Sequence, residues 1–90
     1  MIPGYLHNRL RDVETIASAA RQDDFPTVQR IAHNLKGSGS GYGFAQLSAL
    51  GRELEKLAKA RDRVRILERI LELDRQIRAI LQSLDTVSVP

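Results

Sequence analysis

The chain has no cysteine and no tryptophan, and it carries only two tyrosines and two phenylalanines. The missing thiols exclude disulfides, thiolate metal centres and cysteine nucleophiles together. The four aromatics, Tyr5, Phe25, Tyr42 and Phe44, are too few and too scattered along the sequence for a base-stacking platform. Proline occurs only at Pro3, Pro26 and Pro90, which leaves long stretches free of helix breakers. No run approaches the ~20 apolar residues of a membrane span, and the N-terminus lacks the blocks of a secretory signal. The expectation is a cytoplasmic protein with no membrane association. Its 90 residues suffice for one small domain with one modest core, too little for a cofactor-sized α/β fold.

What is present is helical periodicity. Apolar residues recur every three or four positions, and nowhere is there a sustained alternation of period two. The first segment carries Leu6, Leu10, Val13, Ile16, Ala17 and Ala20 and ends near Arg21. Asp23 and Asp24 offer an N-cap, with Pro26 in the first turn of a second helix holding Phe25, Val28, Ile31, Ala32 and Leu35. Four glycines between Gly37 and Gly43, each costing a helix about 1 kcal/mol relative to alanine, predict that this helix loosens or stops between Gly39 and Gly43. A third helix carries Phe44, Leu47, Leu50, Leu54, Leu57 and Ala58, with Glu55 and Lys59 spaced for a surface pair. Asp62 caps a fourth, where Ile66, Ile70, Leu73, Ile77, Ile80 and Leu84 repeat and Leu67, Leu71 and Leu81 widen the stripe. Short connections between such helices predict an all-α, antiparallel up-down-up-down four-helix bundle spanning 1–90, with a frayed tail over 85–90.

The net charge is +3, from 14 basic and 11 acidic residues. In the densest stretch, Arg61 to Arg78, acids lie among the arginines, as on a salt-bridged helix surface, and no nucleic-acid partner is expected. Neither His7 nor His33 has ligand-type neighbours at metal-binding spacing, so no metal site is expected. At about 100° per residue, however, His33 points roughly 150° away from the apolar direction of its own helix. The same outer face holds Gln29, Arg30, Lys36, Gly37 and Ser40. An outward imidazole is a competent nucleophile. Lys36 stands one turn on to balance a charge placed there, and Gly37 removes a side chain that would obstruct a partner. No acid lies near the histidine on this face of the helix, which argues against paired-acid or triad chemistry.

Ala32-His33-Asn34-Leu35-Lys36-Gly37-Ser38, followed by Gly43, Leu47, Leu50 and Glu53-Leu54-Glu55, resembles the signature of histidine-containing phosphotransfer (HPt) domains. The resemblance implies that His33 is the phosphoacceptor and Lys36 the cation beside the phosphate. It further implies that Gly37 admits a receiver domain, with Gln29, Arg30 and Ser40 on the docking face. Ser38 and Ser40 fall at small-residue positions, and Gly43 matches the glycine of the helix junction. The implied function is a phosphoryl carrier in a multistep two-component phosphorelay, a monomer and not an autonomous kinase, with response-regulator receivers or a hybrid histidine kinase as partners. No cofactor is implied in this chain; Mg²⁺ belongs to the receiver. The alternative is a helical interaction module of degenerate HPt type that binds a partner without phosphoryl transfer.

Overall fold

The computed structural model describes residues 2–88, with side chains over 2–84. It consists of four helices, α1 (Ile2–Arg21), α2 (Phe25–Gly41), α3 (Ala45–Lys59) and α4 (Arg63–Ser88). Each connection reverses the chain by the same device. The amides of Asp24, Phe44 and Asp62 donate to the carbonyls of Ala19, Gly39 and Leu57 at 2.8, 2.8 and 3.0 Å. The residue before each donor, Asp23, Gly43 or Arg61, is left-handed, with φ of 57°, 83° and 56°. This closure satisfies carbonyls of the last turn, and only the middle connection supplies the glycine that adopts it without strain. The donor residue then starts the next helix. Asp24 accepts from the Thr27 amide and hydroxyl at 3.3 and 2.6 Å, and Asp62 accepts from the Arg65 amide at 3.1 Å. Phe44 occupies the corresponding position before α3 with no side-chain cap, and α3 opens at Ala45, one residue later than its apolar stripe.

Helix α1 packs against α2 and α4, and α3 packs against the same two, which closes the four into a bundle of 46 × 21 × 16 Å. Leu6, Ile16, Val28, Leu35, Leu47, Leu54, Ile66, Leu73 and Ile77 are fully buried at its centre. Each such side chain stabilises the fold by roughly 1.5–3 kcal/mol relative to exposure. Leu71 departs from the expected stripe and is 72% exposed. It sits about 100° around the helix from Ile70, which points inward. Helix α4 also continues past Leu84 to Ser88, which corrects the frayed tail over 85–88; residues 89–90 lie outside the described part.

The glycine-rich stretch stays helical through Gly41, so the predicted break falls at the far end of its interval. Packing offsets the poor propensity. A Cβ on Gly39 would stand 2.8 Å from the Ser48 amide nitrogen, and one on Gly51 would stand 2.6 Å from that of Lys36. These two glycines let the backbones of α2 and α3 approach, and the Ser48 hydroxyl donates to the Lys36 carbonyl at 2.8 Å. The register between the two helices is thereby fixed beside His33.

Three of the four aromatics, scattered in sequence, are gathered by the fold. Tyr5 stacks on Tyr42 at 4.0 Å and lies 6.2 Å from Phe44, while its hydroxyl shares a 2.8 Å hydrogen bond with Ser38. Arg9 lies over the Tyr5 ring and donates to the same serine at 3.3 Å. Ser38 thus faces α1 and ties α2 to it.

Candidate functional site

Helix α2 turns Val28, Ile31, Ala32 and Leu35 into the core and leaves His33 on the opposite side, its side chain 62% exposed. The outward orientation predicted from the helical wheel is what the structure has. Pro26, Gln29, Arg30, His33 and Asn34 border a surface hollow of about 430 Å³ that is completed by Glu55 of α3. Gly37 is exposed, with open space where a Cβ would project. Ser40 is exposed two turns beyond His33 and borders a second hollow of about 300 Å³ with Gly43, Ala45, Ser48, Ala49 and Arg52. The expected site residues therefore share one continuous face of the α2–α3 pair.

Glu55 corrects the expectation that no acid stands beside the histidine. One carboxylate oxygen lies 3.0 Å from His33 Nδ1, and the other accepts from Lys36 Nζ at 3.1 Å. Both contacts cross from α3 to α2. They replace the surface pair with Lys59 that spacing along α3 suggests. The carboxylate is 12% exposed, covered by its two partners and not deep within the bundle. The Lys36 hydrogen bond, opposed by burial and reinforced by His33, holds Glu55 below the usual carboxylate range. Glu55 is therefore ionised at neutral pH.

An ionised carboxylate has no proton to give, so the hydrogen in the His33 contact belongs to Nδ1. In the neutral ring that leaves a bare lone pair on Nε2. The Lys36 ammonium balances the Glu55 charge and uses one of its three N–H donors in that contact. Among the described residues no three His, Cys, Asp or Glu side chains gather as metal ligands.

On the α1 side, Asp12 lies 2.9 Å from Arg9 Nε in ion-pair range without hydrogen-bond alignment. Burial raises its carboxyl above the usual range, and the cations Arg9 and Arg30 only partly oppose that shift. Helical spacing does not join Glu55 to His33, because 22 residues and a helix reversal separate them, and the signature that contains both assigned Glu55 no role. The usable hint lay in Gly51 and Ser48, small residues at helical spacing from Glu55 that mark the side of α3 able to lie against α2.

No described helix is long and apolar enough to cross a membrane. Comparison with curated proteins gave no match, and neither did comparison with solved structures. The family model for the Hpt domain does match, over residues 5–87 and so nearly the whole bundle, and the chain belongs to that family.

Proposed function

We propose that His33 accepts a phosphoryl group from the phosphoaspartate of a receiver domain and passes it to the aspartate of another. Membership of the Hpt family supports histidine phosphotransfer in a phosphorelay. The observation that carries the residue-level reading is the exposed His33 ring with Nδ1 engaged by Glu55. In the forward step the Nε2 lone pair forms the N–P bond while the P–O bond to the aspartate breaks and the carboxylate leaves with the electron pair. Nε2 carries no proton, so none has to be removed. The positive charge that develops on the ring is shared through Nδ1–H with Glu55, and Lys36 balances charge on the phosphoryl oxygens. The open face lets the receiver bring its own acidic pocket and Mg²⁺ over the ring. The domain is a carrier, with the partner completing the reaction centre.

Incubation with a phosphorylated receiver is expected to label the wild-type domain at an acid-labile, base-stable site and to leave His33→Gln unlabelled. His33→Gln is expected to keep its helix content, because the ring lies outside the core. Equal labelling of both proteins would overturn the assignment. Stable receiver binding with no labelling of either would establish a non-transferring interaction module.

A further inference from the structure

The arginines of α4 are all neutralised. Arg63, Arg65, Arg69, Arg75 and Arg78 pair with Asp23, Asp62, Glu53, Glu72 and Asp74. Among the described residues, only Lys36 of the cations around His33 has an acid partner, Glu55. Helix α2 carries Arg30 and Lys36 with no acid of its own, and α3 carries Arg52, Lys56 and Lys59 with Glu53 and Glu55. Both of those acids are occupied, Glu53 by Arg69 of α4 and Glu55 by His33 and Lys36. Arg52, Lys56 and Lys59 are exposed and make no ion pair among the described residues. They fall within about 60° of one another on α3, on the solvent stripe next to the edge that holds Ser48 and Glu55. Arg30, also exposed and in no ion pair among the described residues, flanks His33 on the other side, its charge felt by Asp12 of α1, which is itself paired with Arg9. Four exposed cations without an ion pair among the described residues thus surround the histidine, while the other such cations, Arg11, Arg21 and Arg61, lie on α1 and in the connection between α3 and α4.

We propose that Arg52, Lys56 and Lys59, with Arg30 opposite, form a positive rim that selects receivers whose docking face is acidic around the phosphoaspartate. The inference rests on the phosphotransfer reading of His33 and adds what that reading leaves open, the kind of receiver that docks. A receiver must gather acids to hold Mg²⁺, and an extension of that acidity to its rim complements this one. Flexible unpaired cations about a docking point steer encounter and accelerate association, and salt screens the effect over a Debye length of about 8 Å at physiological ionic strength. They lie off the reacting atoms, so they act on capture of the receiver and not on the transfer step.

The test uses the whole domain, one phosphorylated receiver with acids bordering its phosphoaspartate, and the same receiver with those acids changed to amides. For Arg52→Glu/Lys59→Glu, kcat/KM for transfer at low salt is expected to fall about tenfold or more, while the rate at saturating receiver stays unchanged. The steep salt dependence of the wild type should flatten in that variant, and equally with the amide receiver. A receiver carrying lysines in place of its rim acids should restore the reversed variant. Arg52→Gln/Lys59→Gln should fall between, and thermal melts of both variants check that the bundle is intact. Unchanged kcat/KM and unchanged salt slope, with His33 still phosphorylated, would overturn the rim while leaving the phosphotransfer reading in place. Absence of phosphohistidine in the wild type at every salt concentration would instead overturn that reading. Salt-dependent binding of a labelled DNA duplex that the reversals abolish, with receiver transfer unaffected, would assign the patch to nucleic acid and overturn the proposal.

Discussion

Gly51 lies against the backbone of Lys36 so closely that a Cβ on the glycine would stand 2.6 Å from the lysine amide nitrogen and 2.9 Å from the Ala32 carbonyl oxygen. One turn along α3 from that contact, Glu55 meets the His33 ring and the Lys36 ammonium. The close approach of two backbones therefore sets the position of the carboxylate that decides which ring nitrogen is free.

Gly51→Ala is expected to destabilise the domain by roughly 1–3 kcal/mol, because the atoms in its way are backbone and cannot rotate aside. The helices must part, Glu55 retreats, and phosphoryl transfer slows in the same variant. Urea unfolding together with a transfer assay checks both effects, and a variant as stable and active as the wild type would contradict them.

Gly37→Ala separates docking from stability. With nothing within 4 Å of its Cβ position, the alanine meets no clash inside the domain and improves helix propensity. A gain of about 0.5–1 kcal/mol is expected in thermal or urea unfolding. The added methyl lies where a receiver must approach His33, so transfer should slow although the domain is more stable. A faster or unchanged transfer rate would remove the steric role of Gly37.

Glu55→Ala is expected to lose the tautomer preference. Nitrogen-15 chemical shifts of the His33 ring should show Nδ1 carrying the proton in the wild type and a mixture of tautomers in the variant. Transfer should slow by about tenfold, the effect of one charge-assisted hydrogen bond lost in the transition state. A purely structural role would lower stability without changing the tautomer.

Acidification acts on Glu55 and Asp12 with opposite sign. Glu55 is held below the usual range, so the unfolded chain takes up that proton first. Its contribution is complete above the ordinary carboxylate range and is lost as pH falls through the lower folded value. Asp12 is raised, so the folded domain protonates first. Its ionised form costs stability above the raised value, and the cost vanishes as pH falls below the unfolded value. From pH 7 to pH 3, wild type minus Glu55→Gln stability should decrease and wild type minus Asp12→Asn should increase. Differences moving in the same direction would contradict this account.

The bundle was legible because its signals are local. Asp24, Pro26 and Asp62 mark helix starts by chemistry confined to one turn, and the outward direction of His33 follows from its own helix alone. Glu55 was not legible because a wheel drawn for α2 contains nothing about what α3 brings beside it. Propensity placed the end of α2 within Gly39 to Gly43, and what it could not show is that the close approach of α3 at Gly39 carries the helix on to Gly41. Leu71 misled because the stripe of α4 was drawn wider than the two neighbouring helices cover.

The most direct test identifies the nitrogen that is phosphorylated. Phosphorus and nitrogen-15 spectra of the domain labelled by a phosphorylated receiver are expected to place the phosphoryl group on Nε2 of His33, with the proton retained on Nδ1 against Glu55. A phosphoryl group on Nδ1, on His7 or on a hydroxyl would contradict the account.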